Sequence, residues 1–287
     1  VTRIARLTAP GTARVAARVT IAGLAIVALA ACGAEDTAAP ATAPAGGTAA
    51  SAAGDEQGEV EGEIIVSAAA SLTESFDVIG ADFEAANPGV DVTFTYGPSS
   101  GLATQIVEGA PADVAAFANE ATMQTLVDAA AVDGDPRVFA TNVLVVVTKP
   151  GNPEGVRGVE DLTDVGVVAL CGADVPCGTF SQEVLDKAGV TIPETSVTRG
   201  EDVRATLAAV SEGDAVAAIV YETDAAVVGD AVETVAIPDD LNVVATYPIA
   251  ALSDSGSPDA AAAFVEYVLS PGAQEVLADA GFGPPVP

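Results

Sequence analysis

The chain has 287 residues, enough for one large domain or two of ordinary size at ~100–200 residues each, and with half of them apolar and 18% charged it can bury a core. Ten Lys and Arg stand against 41 Asp and Glu, a formal charge of -31, which excludes a nucleic-acid binder that relies on basic patches. There is no His and no Trp, which removes the commonest general base, the commonest metal ligand and every Ser-His or Cys-His nucleophile pair.

Arg3, Arg6, Arg14 and Arg18 lead into an apolar run over 19–29, and the first acid is Glu35. A basic start before a short apolar run is the pattern of a secretory signal, and the run falls short of the ~20 residues that span a bilayer. Leu29-Ala30-Ala31-Cys32 resembles a bacterial lipobox, which implies cleavage before Cys32 and a lipid on that residue. Residues 33–62 are rich in Ala, Thr, Pro, Gly and acids, with Val60 as the one large apolar side chain. They predict a flexible tether with a root-mean-square span of ~30 Å, and Glu56, Glu59, Glu61 and Glu63 a solvated charge run.

From Ile64 the chain alternates between strand and helix patterns. A strand is expected at 64–66, then a helix over 72–86 with Phe76, Ile79 and Phe83 on one face, stopped by Asn87-Pro88-Gly89. Strands at 90–96 and 114–117 and helices at 102–108 and 120–131 follow. A second α/β unit begins near 143, with strands at 143–148, 165–170 and 215–221 and helices at 182–188 and 203–211. A return strand at 243–249 and helices at 258–269 and 273–280 close the chain. Repeated βα units imply mostly parallel sheets with helices on their faces.

One arrangement recurs: a strand ends in small or hydroxyl residues and a helix starts directly after. Ser71, Ser99-Ser100-Gly101, Cys177-Gly178-Thr179 and Asp202-Val203 all occupy such places. The free N–H groups and aligned peptide dipoles of a helix start bind anions without Lys or Arg. Each start alone is also what ordinary capping looks like; several at the carboxyl edges of two sheets form the general ligand site of open α/β folds.

The stretches SAAASLTESF (67–76), PSSGLATQIVEGAPADV (98–114), VPCGTFSQEVL (175–185), EDVRATLAAV (201–210) and AIVYETDA (218–225) resemble, in order, the periplasmic molybdate-binding proteins of ABC importers. The resemblance runs from about Ile64 to Phe282. It implies a two-lobed class II periplasmic binding protein that holds molybdate, and also tungstate, for delivery to an ABC permease. It implies no catalysis and no cofactor, metal entering only as the molybdenum of the bound oxyanion. The implied contacts are the hydroxyl and N–H of Ser71 and of Ser99, the N–H groups of Cys177 and Val203, and the hydroxyl of Tyr221. Two departures stand out: Cys177 takes a place more often held by Ala, which a main-chain contact tolerates, and Pro98 one where Ser is common. The implied organisation is a lipoprotein signal (1–31), a lipid-anchored linker (32–62), a first lobe (63–142 plus 248–287) and a second (143–247), with the hinge near Asn142 and Tyr247. The whole would be an extracytoplasmic monomer held to the cell membrane through Cys32, without a nucleic-acid partner.

The acidic composition does not oppose an anion. One charge ~20 Å away contributes ~0.2 kcal/mol in water, cut roughly tenfold by a Debye length of ~8 Å, whereas each charge-assisted hydrogen bond is worth ~1.5–3 kcal/mol. Cys171 and Cys177 suit a disulfide in an oxidising compartment, worth ~2.4 kcal/mol for so short a loop, with two buried thiols as the alternative. Zinc lacks ligands here. Arg204, beside Val203, is compatible with a role in the cleft or a place on the helix surface. There is no GxxxxGK[ST] loop and no GxSxG elbow. Two other readings are carried forward: a receptor for another anion such as sulfate, and a hydrolase using Ser71 or Ser99 with Lys149 or Lys187 as base.

Overall fold

The computed structural model describes residues 60–285. The expected signal, Cys32 and the tether as far as residue 59 lie outside the described residues, whereas Glu61 and Gly62, expected in the tether, and Glu63 of the charge run belong to the first strand, paired with Gly89, Val90 and Asp91.

Strand β1 (Glu61–Ala69) passes through a 3-10 turn (Ala70–Leu72) into α1 (Thr73–Ala86). Then come β2 (Gly89–Gly97), α2 (Ser99–Val107), β3 (Val114–Ala116) and α3 (Glu120–Asp128). A long β4 (Val132–Thr148) leads to β5 (Val168–Cys171), α4 (Pro176–Ala188), β6 (Val197–Gly200), α5 (Val203–Ser211), β7 (Ala217–Tyr221), α6 (Glu222–Val228) and β8 (Glu233–Ala236). Strand β9 (Val244–Leu252) and helices α7 (Pro258–Val268) and α8 (Pro271–Asp279) complete the described chain.

The strands lie in the order β2-β1-β3-β9-β4-β7-β5-β6, with β8 also paired to β4. Within this order β1 is parallel to β2 and β3, and β5 is parallel to β6 and β7. The strands between the two parallel sets are antiparallel to their neighbours. Strand β4 joins the halves. As far as Val143 it pairs with β9, and from Leu144 it pairs with β7 and then β8. The chain returns through 237–243 into β9, so Tyr247 stands inside that strand opposite Ala140. At the crossing, Asn242 donates from Nδ2 to the Leu144 carbonyl (2.9 Å) and accepts from the Leu144 N–H (3.2 Å).

Helix α1 turns Phe76, Ile79 and Phe83 inward, the i, i+3, i+7 spacing of one helical face. Phe83 meets Phe264 of α7 edge-on (5.3 Å between centroids) and Phe76 meets Phe139 of β4 (5.6 Å), so one aromatic cluster holds the helices of the first half to the sheet. Each such fully buried ring contributes ~1.5–3 kcal/mol.

Several elements differ from the expectation. Helix α4 begins at Pro176 rather than 182, because Pro suits a first helical turn and the small Gly178 lets the helix start press on β5; a β-carbon at Gly178 would collide with the Gly172 carbonyl. Strand β4 reaches back to Val132 through Asp133, Gly134, Asp135 and Pro136, with register shifts that erase the alternation a strand normally shows. Strands β6 and β8 and helix α6 carry no expected counterpart; all are short.

Candidate functional site

The ends of β1, β2 and β7 and the starts of α2, α4 and α5 meet at one void between the halves. It is lined by Ser71, Pro98, Ser99, Ala118, Cys177, Val203 and Tyr221 among others, so all five residues implied by the resemblance come together. Its free volume is about 20 Å³, a little over the ~10–15 Å³ a single water needs and far below the ~300 Å³ of organic-ligand clefts. Space of this order excludes an ordinary organic ligand and leaves only one of a few atoms.

Four starts supply donors. In the 3-10 turn the first internal bond runs from the Thr73 N–H to the Ala70 carbonyl, leaving the Ser71 N–H ahead of it. In α2 the first bond runs from the Leu102 N–H to the Pro98 carbonyl (3.0 Å), so Pro98 starts the helix without using the Ser99 N–H. In α4 the Gly178 and Thr179 N–H groups both reach the Val175 carbonyl (3.0 Å each), and Cys177 precedes them. In α5 Asp202 caps the helix, its Oδ1 accepting from the Ala205 N–H (2.8 Å) and its carbonyl from the Thr206 N–H (3.1 Å), which leaves Val203. Orphan N–H groups of this kind, with the dipoles behind them, favour an anion.

The hydroxyls are set to donate as well. Ser99 Oγ accepts from the Ala118 N–H (3.2 Å), so its own proton is free for the void. Ser71 Oγ lies 3.0 Å from Tyr247 Oη, which in turn accepts from Asn142 Nδ2 (3.4 Å). Run in the order Asn142, Tyr247, Ser71, this chain leaves the Ser71 proton for the void. The Tyr221 hydroxyl is buried and has no hydrogen-bond partner among the described residues. Burial first, then the facing Tyr247 and Asp224, push its phenol well above the ordinary tyrosine value, so it stays a donor across neutral pH. Cys171 and Cys177 are joined by a disulfide that ties the start of α4 to the end of β5. No Lys or Arg lines the void; the one ionisable acid that does, Asp202, already caps α5.

The family profile for bacterial extracellular solute-binding proteins matches residues 64–283. The chain belongs to that family. Among its relatives is the Molybdate-binding protein ModA of Mycobacterium tuberculosis (strain ATCC 25618 / H37Rv), 40% identical over 223 residues that cover 77% of this chain and 85% of that protein. This solute-binding protein also shares its fold with the periplasmic molybdate-binding protein of Azotobacter vinelandii, with a TM-score of 0.68 at 19% identity over 78% of this chain and 100% of the other. The sulfate-binding protein SubI of Mycobacterium tuberculosis H37Rv is similar in fold, with a TM-score of 0.69 at 24% identity over 77% and 86% of the two chains. The mixed α/β architecture is that of the two-lobed periplasmic binding proteins, and the role that goes with the family is capture of a solute outside the cytoplasm. No helix among the described residues is long and apolar enough to cross a membrane.

The motifs led to the five lining residues but not to what surrounds them. Glu74 and Asp224 fall within the motif stretches and Asn142 and Tyr247 at the expected hinge, yet nothing local to any of them signals its partners, which only the tertiary fold supplies.

Proposed function

We propose that this chain is the molybdate receptor of an ABC importer, taking up tungstate as well, with Ser71, Ser99, Cys177, Val203 and Tyr221 as the groups that hold the oxyanion. The observation that carries the reading is the buried Tyr221 hydroxyl, unpartnered and facing a void at which helix starts from both halves converge. A donor-only void of this size suits a fully deprotonated tetrahedral dianion. The 40% identical mycobacterial molybdate-binding protein supports the choice of solute.

Binding without turnover follows from the same residues. Lys149 Nζ donates to the carbonyls of Val210 (3.0 Å) and Gly213 (2.7 Å), and Lys187 Nζ to that of Asn242 (2.8 Å), so neither serves Ser71 or Ser99 as a base. The lobes are 63–142 plus 248–287 and 143–247, closing on the anion about the β4 and β9 crossing. A lipid on Cys32 and the linker between it and β1 tether this monomeric receptor to the outer face of the cell membrane, within reach of its permease.

Calorimetric titration of the mature protein tests the reading. Molybdate and tungstate should bind and compete, while sulfate, too small for fixed donors, and phosphate, whose proton finds no acceptor at a cost of ~1–3 kcal/mol, should not displace them. Sulfate binding in place of molybdate would reassign the receptor to sulfate.

A further inference from the structure

Beside the void, one ion pair joins the two halves. Arg204, the residue after Val203 on α5, donates from Nη1 to Glu74 Oε2 (2.6 Å) and from Nη2 to Glu74 Oε1 (2.5 Å), and Glu74 lies on α1 of the other half. The Glu74 carboxyl, which burial alone would raise, is held below its usual value by the Arg204 hydrogen bonds, and the guanidinium is raised in return. Both side chains remain partly exposed.

Asp224 of α6 lines a cavity with Arg204, and its charge bears on the guanidinium without an ion pair between the two. It is 2% exposed, and neither of its carboxyl oxygens has a hydrogen-bond partner among the described residues. Buried carboxyls are ordinarily paired, so an orphan beside an arginine committed elsewhere calls for a reason. Arg204 and Asp224 line one cavity of about 360 Å³, space on the Asp224 side into which the guanidinium can turn once it leaves Glu74, which does not line it. The two acids differ in kind: Glu74 departs with α1 if the halves part, whereas Asp224 belongs to the same half as Arg204.

We infer that Arg204 is a two-station clasp, pairing with Glu74 when the halves are closed on the anion and with Asp224 when they open. This rests on the oxyanion-receptor reading. Opening then replaces one ion pair with another and leaves no guanidinium stranded, which keeps the two states close in energy and lets the anion be both held and released. Glu74 and Asp224 are positioning residues that act through Arg204 on the α5 start and its Val203 N–H.

A pH dependence follows. The groups that face Asp224 are Arg204 and Asp202 on and at the start of α5, Glu74 on α1, Tyr221 at the end of β7 and Tyr247 on β9. Burial, opposed by Arg204 and assisted by Glu74 and Asp202, pushes the closed-state carboxyl up to about 8. Pairing with Arg204 in the open state lowers it, so closing takes up a proton. The raised value belongs to the closed state; closure is therefore favoured at low pH, and the advantage is lost as pH rises through about 8.

The test uses the full mature protein with labelled molybdate chased by tungstate. Glu74→Gln should speed release about two- to fivefold, Asp224→Asn should slow it by a similar factor, and Glu74→Gln/Arg204→Gln should release no faster than the faster single variant. For the parent, release should quicken from about pH 6 to about pH 9, and Asp224→Asn should flatten that profile. Faster release from Asp224→Asn, additive effects of the Glu74 and Arg204 changes, or a flat parental profile overturns the clasp. Solution scattering of ligand-free protein separates this from the choice of ligand: Asp224→Asn should be more compact than the parent, and equal radii refute the clasp whether or not molybdate binds.

Discussion

Tyr221 buries a hydroxyl that folding alone gives no reason to bury. Left without a partner, such a group costs about 1–3 kcal/mol, and a Phe of the same shape would remove that cost. The hydroxyl is explained by the anion it would meet. Tyr221→Phe should therefore leave the thermal midpoint of the ligand-free protein equal to or above that of the parent, while weakening molybdate binding roughly tenfold to a hundredfold by calorimetry. Parental affinity in that variant would remove Tyr221 from the site. Sequence motifs reach Tyr221 because it sits in a distinctive stretch, VYETDA, at a strand end. They do not reveal that Asp224, in the same stretch, is buried without a partner, since Asp is ordinarily a surface residue and its composition carries no sign of burial.

Helix starts are the elements that make the site, and α5 allows one to be tested without disturbing the rest. Val203 is the first helical residue, where Pro is well tolerated, and Asp202 before it is already extended (φ -144°, ψ -175°), as a residue preceding Pro must be. Val203→Pro deletes a single N–H. We expect affinity for molybdate to fall about tenfold or more while the helix survives, visible as unchanged far-ultraviolet circular dichroism. The α4 start is pinned differently, by the Cys171–Cys177 bond. Replacing both with Ala should cost ~2.4 kcal/mol of stability in denaturant titrations yet retain binding, because the Cys177 contribution is its main-chain N–H. Elements with strong periodicity, such as α1 with Phe76, Ile79 and Phe83, were legible from sequence. Those that escaped are four-residue strands such as Val197–Gly200, where alternation has no length to show itself, and the early part of β4, where Gly134 and Pro136 mask a strand held in place by β9.

At the scale of the whole molecule, the order of βα units made the fold class readable, but the place where the halves join is a tertiary fact. Two adjacent strands carry the join, and Asn242 fastens it through the Leu144 main chain while Asn142, within β4, reaches Thr223 (2.8 Å) and Tyr247. Residues of the first half (Ser71, Ser99) and of the second (Cys177, Val203, Tyr221) line one void, so on the proposed reading ligand exchange requires the halves to part. Solution scattering should show compaction on adding molybdate, with the larger change at higher pH, where the ligand-free protein is more open. A radius that does not change while calorimetry reports binding would argue that the halves do not move.

Four of the five proposed donors are written partly or wholly in the main chain, with Cys177 and Val203 contributing nothing else. Side-chain substitution at such positions leaves the contact standing, and proline alone removes it. Substitution at Cys177 and Val203 is therefore nearly silent for recognition, and what inheritance must preserve is the spacing of helix starts about the void. Two receptors of this architecture can thus differ at most positions around the anion and still choose the same one, while a shift of one helix start by a fraction of an ångström changes the choice without altering a single contact residue.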